Sequence, residues 1–191
     1  ISINDGLSQN TVFSITQDKS DNMWFATYDG VNRYDGYEFT VYRHDENDTV
    51  SIAGNITRCV VTDSKGRILV GTNKGVSLYN KETDTFKNFL ITDRKNALVT
   101  DIVELSDDLY IINSEGELYV LDLSMNSFRD DILIPDLVSK KVSSIYRVND
   151  TIYIGCVNGH LHSYSFVSNK FIPSSSFEVG AKVQTMLLYN L

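Results

Sequence analysis

The stretch MWFATYDGVNRYD, Met23 to Asp35, decides the fold because the chain repeats it. It returns as ILVGTNKGVSLYN (Ile68 to Asn80), as LYIINSEGELYVLD (Leu109 to Asp122) and as IYIGCVNGHLHSYS (Ile152 to Ser165). Trp24, Leu69, Tyr110 and Tyr153 hold matching places, separated by 45, 41 and 43 residues. A period of that size belongs to architectures in which one supersecondary unit cannot hide its apolar surface alone and must stack on copies of itself.

Working outward, each copy is preceded by a second apolar run: TVFSITQD (Thr11 to Asp18), ITRCVVTD (Ile56 to Asp63), VTDIVEL (Val99 to Leu105) and VSSIYRV (Val142 to Val148). Each is followed by an aromatic anchor, Phe39, Phe86, Phe128 or Phe171. One unit therefore reads as four short strands. The second is apolar throughout, as a strand covered on both faces must be. It ends at Asp29-Gly30, Lys74-Gly75, Glu115-Gly116 or Asn158-Gly159, where glycine supplies the positive φ of a tight hairpin. The predicted class is all-β, and four-stranded antiparallel units of this period are β-propeller blades. The expected blades span about 7–50, 51–97, 98–140 and 141–180, with 181–191 opening a fifth at VQTMLLYNL. Ala26, Gly71, Ile112 and Gly155 are expected where adjacent blades crowd together. Ile1 to Asn4 could supply a closing strand, but the preferred reading is an incomplete piece of a larger propeller.

Composition agrees with strands and narrows the function. Tyr 11, Phe 9 and Trp 1 stand beside Pro 2, a balance of strand-favouring residues that disfavours a helical bundle. The net charge of -8 argues against a surface adapted to nucleic acid or to anionic lipid. The longest uncharged stretch, Thr151 to Asn169, carries Asn, Gly, Ser and His and does not read as a membrane helix. Cys59 and Cys156 are expected as two free, buried thiols.

With these residues in view, the chain resembles the two-component regulator propeller repeat. The resemblance rests on Leu7 to Ile15 (LSQNTVFSI), with Gly6 in front, and on the following W-F-A-T-x-D-G-V-x-R-Y-D. It weakens in the later copies, where Asn113 and Cys156 replace the usual Thr and Glu117 or His160 intrudes after the glycine. It implies a periplasmic sensor region of a hybrid two-component protein of glycan-using bacteria, followed there by a linking β-domain, a membrane helix, a histidine kinase, a receiver and a DNA-binding module. It also implies an oligosaccharide or glycan fragment as ligand and a homodimer in the full-length protein. No nucleic acid and no membrane are expected to touch this part itself.

Catalytic residues, a metal and a cofactor are not expected. Asp18, Asp29, Asp35, Asp63 and Asp122 recur at turn positions, where aspartate caps its own backbone. A glycosidase needs an acid and a second carboxylate across the sugar, and the non-repeating Glu38, Glu104 and Glu178 have no local context for such a pair. His160 and His162 lie on one face of a strand without an evident third ligand. His44, in the loop Arg43 to Thr49, is expected to be solvent-exposed. Trp24, Tyr34 and Tyr79 are assigned to packing between blades. The candidate ligand-binding residues are those that break the repeat near the junction of second and third strands: Tyr28, Asp29, Asn73, Lys74, Glu115 and Asn158, with Arg43 and His44 from the long connection between the first two blades. The alternatives to a sensor are a protein-interaction scaffold and, further off, a propeller glycosidase or lyase.

Overall fold

The structure, a computed structural model, describes residues 1–92, 97–132, 134–135, 137 and 141–179. The expected opening of a fifth blade, 181–191, lies outside the described residues. Sixteen strands are present among them. The first sheet holds β1 (Val12–Gln17), β2 (Met23–Thr27), β3 (Val31–Tyr34) and β4 (Phe39–Tyr42). The second holds β5 (Thr57–Thr62), β6 (Ile68–Thr72), β7 (Gly75–Asn80) and β8 (Thr85–Leu90). Then come β9 (Val99–Ser106), β10 (Leu109–Ser114), β11 (Glu117–Asp122) and β12 (Ser127–Arg129), and finally β13 (Val142–Val148), β14 (Thr151–Cys156), β15 (His160–Val167) and β16 (Lys170–Glu178). Each group of four is one sheet whose strands pair in chain order, and every described pairing is antiparallel. These are four propeller blades. Among the described residues no helix is long and apolar enough to cross a membrane.

The chain divides into two compact units, 1–102 and 103–191. In the first, Trp24, Ala26, Val31, Ile52, Val60, Ile68, Val70, Tyr79 and Phe86 form the core between the first two blades. The tight spot anticipated at Gly71 is real: a Cβ there would collide with the Cys59 sulfur and stand 2.7 Å from Val99 Cγ1. In the second unit, Leu105, Ile111, Ile145, Ile152, Ile154, Tyr164 and Phe171 belong to one core, closed by a hydrogen bond from the Tyr164 hydroxyl to the Pro135 carbonyl at 2.7 Å. Cys59 and Cys156 are both buried, and neither is in a disulfide.

The strand-joining turns follow the glycines. Gly30, Gly75, Gly116 and Gly159 all have positive φ. Gly30 has a second constraint, since a side chain there would run into the Tyr42 carbonyl oxygen. The less favoured alternative, a closing strand at Ile1 to Asn4, is not what forms there. Ser2 accepts from the Asn4 backbone and Asp5 accepts from the Ser2 N–H, so this capping pair turns Ile3–Asp5 into a short 3-10 helix.

Candidate functional site

The face that carries the predicted residues of the first unit is built by hydroxyl clamps between blades. Thr57, fully buried at the start of β5, accepts from the Thr27 N–H at 2.8 Å and is placed to donate to the carbonyls of Thr27 (3.0 Å) and Gly30 (2.9 Å). The Gly30 N–H donates to the Asn55 carbonyl at 2.6 Å. Farther along the same strands, Ser14 bonds the Val60 backbone and Thr16 bonds Thr62. The first strands of the two blades thus stand side by side, and the turn Tyr28–Gly30 is fixed against the entrance to β5.

Two ion-centred pairs sit above this frame. Arg43 donates from Nε (3.1 Å) and Nη2 (2.8 Å) to one carboxylate oxygen of Asp29. His44 is not solvent-exposed as expected. Its Nδ1 lies 2.8 Å from the Ile52 carbonyl, which can only accept, so the proton is on Nδ1 and Nε2 accepts from the Lys74 ammonium at 3.1 Å. No local pattern announces this, because the partner carbonyl is supplied by a loop that folds back eight residues later. Next to Lys74, the buried side-chain oxygen of Asn73 accepts no hydrogen bond among the described residues, and Gly54 packs so close to it that a Cβ would not fit. Tyr28, Asp29, Arg43, His44, Asn73 and Lys74 therefore all belong to one unit, with direct contacts within the Asp29–Arg43 and His44–Lys74 pairs. Glu115 and Asn158 belong to the second unit. Glu115 is exposed at φ 52° beside Gly116, whose carbonyl accepts from the Val142 N–H, and Asn158 bonds the His160 N–H at 3.4 Å. His160, His162 and Tyr164 lie in a stacked row on one face of β15.

Two residues of this face escape a reading by turns and repeats. Strand β1 carries a register shift between Val12 and Ser14, β5 one between Thr57 and Cys59, and β13 one between Val142 and Ser144. The extra residue is Phe13, Arg58 or Ser143, at the same place in each repeat. A bulge bends its strand and re-aims one side chain, and in the first unit the result is a stack. The Arg58 guanidinium lies 4.1 Å from the centre of the Phe13 ring, and Tyr28 meets that ring edge-on at 4.6 Å. Among the described residues no carboxylate pairs with Arg58. A signal was present in the aligned first strands: the place held by the hydroxylic Thr100 and Ser143 in the later copies is taken by Phe13 and Arg58 in the first two.

The other conspicuous cluster is structural. Arg33 sits among the rings of Trp24, Tyr42 and Tyr79 at 5.7 to 6.0 Å, and its Nη1 donates to the Tyr79 hydroxyl at 2.6 Å. Tyr42 and Tyr79 each donate to Asp84 at 2.6 Å, tying the turn after β7 to the first blade. Burial opposes ionisation of Asp84, but these two hydrogen bonds and the Arg33 charge outweigh it and hold its carboxyl below the ordinary 3.8. The assignment of Trp24 and Tyr79 to inter-blade packing agrees with their burial.

Residues 6–29, which include Phe13, Tyr28 and Asp29, match the family described as two component regulator propeller. The first blade carries a two-component regulator propeller repeat. Consistently, 49 residues are 47% identical to Histidine kinase P4 of Formosa agariphila, a stretch amounting to 26% of this chain and 4% of that protein. The chain thus spans a small part of the curated relative it matches. Among solved structures, the extracellular domain of a protein described as a hybrid two component system from B. thetaiotaomicron is similar over 90% of this chain and 31% of that one, at 21% identity and a TM-score of 0.59. PorZ, a surface component of the type-IX secretion system of Porphyromonas gingivalis, is similar over 91% and 23%, at 15% identity and a TM-score of 0.65. Virginiamycin B lyase from Staphylococcus aureus is similar over 91% and 58%, at 13% identity and a TM-score of 0.66. Likeness at these identities concerns the fold. That a hybrid two component system, a secretion component and a lyase share it means that blades alone do not name the chemistry, whereas the regulator repeat narrows it.

Proposed function

We propose that this chain is part of the periplasmic ligand-sensing region of a hybrid two-component signalling protein, and that its first two blades bind an oligosaccharide without transforming it. The observation that carries the reading is the stack of Arg58 on Phe13 beside Tyr28. Aromatic faces pack on the C–H faces of pyranose rings, and a guanidinium with free donors reads hydroxyl or carboxylate oxygens. The stack stands on the matched repeat and its neighbouring blade, within the same unit as the Asp29–Arg43 and His44–Lys74 pairs. Those pairs would add donors and acceptors at the periphery of the bound sugar.

A non-catalytic role is supported by the state of the recurring carboxylates. Asp18 accepts from the Trp24 indole N–H (3.0 Å), the Asn22 amide and the Ser20 backbone; burial works against its ionisation, yet these donors hold its pKa below 3.8. Asp122 is likewise held low, burial being outweighed by Ser124, Met125 and Arg129. A general acid working near neutral pH needs the opposite shift. In this reading a full-length homodimer transmits the binding event, because packed blades respond by altering contacts with a partner and not by flexing internally.

Calorimetry of the 191-residue chain against neutral and acidic oligosaccharides tests the proposal. Saturable heat with at least one glycan, and no new reducing ends after prolonged incubation, is the expected result. Absence of heat across the panel, or release of reducing ends, overturns it.

A further inference from the structure

A groove of about 400 Å³ opens between the first two blades at the other end of their strands, at the turns Asp18–Ser20 and Gly66–Arg67 and the turn after β7. Its floor is the apolar trio Ile68, Leu78 and Tyr79, and its walls carry Lys19, Arg67, Lys81 and Lys87 against only Asp18 and Glu82. On a chain of net charge -8 this is a local excess of positive charge.

Lys19 and Lys81 are held in position by uncharged acceptors. Lys19, from the first blade, donates across the groove to the Ser64 carbonyl of the second at 3.0 Å. Lys81, from the second blade, donates back to the Ser20 hydroxyl of the first at 2.6 Å. Both acceptors are uncharged, and among the described residues neither lysine is paired with a carboxylate. Each ammonium has three donors, so two on each remain for a ligand. Arg67 differs: it is committed to the buried Asp63 at 2.6 Å and shapes the wall. Asp18 is saturated by the donors described above and so competes weakly for the lysines.

We propose that this groove is a second binding site, independent of the Arg58 face, for a sugar-sized ring that carries a carboxylate or a sulfate. The apolar floor takes the face of the ring, and Lys19 and Lys81 take the anion as a pair of tethered cations. The volume lies within the range of small-molecule pockets, which join apolar walls to a few placed polar groups.

The test is an amide-resolved NMR titration of the 191-residue chain with glucuronate and glucose 6-sulfate, using glucose and acetate as controls. The expected result is saturable shifts at Lys19, Ser20, Gly66, Lys81 and Glu82 with both anionic sugars. Glucose and acetate should bind at least about tenfold more weakly, and a Lys19→Gln/Lys81→Gln variant should lose about tenfold in affinity for the anionic sugars. Urea unfolding of that variant should match the parent, because both side chains are exposed. Equal response to acetate and glucuronate, equal response to glucose and glucuronate, shifts unchanged in the folded double variant, or no shifts would each overturn the proposal. Arg58→Ala should leave this titration unchanged, which separates it from the fate of the other site.

Discussion

Arg58 stacks on Phe13 at 4.1 Å because both occupy the bulge of their blade's first strand. Without the bulges, strict alternation along β1 and β5 would send successive side chains to opposite faces. The extra residue frees one position from that rule in each of β1, β5 and β13. The fold thus repeats a geometry while leaving the residue that uses it open to variation.

The clamp beneath that stack should contribute measurably to the stability of the first unit. Thr57→Val keeps the shape but removes the nearer of two acceptors of the Thr27 N–H, which also donates to the Gly30 carbonyl at 3.2 Å, and that carbonyl loses one of its donors. The expected loss is about 0.5–1.5 kcal/mol in urea unfolding. Thr57→Ser, which keeps the hydroxyl, should recover most of it.

Crowding at Gly71 makes a second prediction. Gly71→Ala should destabilise by about 1–3 kcal/mol through overpacking against Cys59 and Val99. Because the nearest obstacle is the Cys59 sulfur, Cys59→Ala in the same chain should restore part of the loss, and a double-mutant cycle should show coupling well above the additive expectation.

Acid sensitivity follows from Asp84 with a definite sign. Its carboxyl is held below the unfolded value of 3.8, so its contribution is complete above that value and is lost as pH falls through the lower folded value. Stability should therefore fall with pH below about 4, in company with Asp18 and Asp122, which are shifted the same way. Asp84→Asn should flatten part of that slope in thermal melts between about pH 2 and 5 while leaving the slope above pH 5 unchanged.

Much of the fold was legible because a repeat multiplies weak local signals. The turn glycines, the apolar second strands and the small residues at Ala26 and Gly71 mark the same places in several copies, and each mark has a steric cause. The candidate site was legible only in part, for equally physical reasons. Asp29, Arg43 and Lys74 stood out as polar residues at turns. Phe13 and Arg58 did not, since a bulge adds one residue inside an ordinary strand and carries no glycine or proline to announce it. The clasp of Arg33, Tyr42, Tyr79 and Asp84 joins residues up to 51 positions apart, a pairing that only the stacking of blades creates. At Ile1 to Asn4 the strand that was the less favoured alternative gives way to a capping pair, which can overrule β-branched residues in so short a segment.

The proposed ligand-binding stack of Arg58 on Phe13 is open to calorimetry of Arg58→Ala and Phe13→Ala against a glycan that binds the parent chain. Each variant should remain folded and lose about tenfold or more in affinity, with Arg58→Lys intermediate because it keeps charge but not the planar fork. Folded variants that bind the glycan as tightly as the parent would place the ligand elsewhere than on this stack.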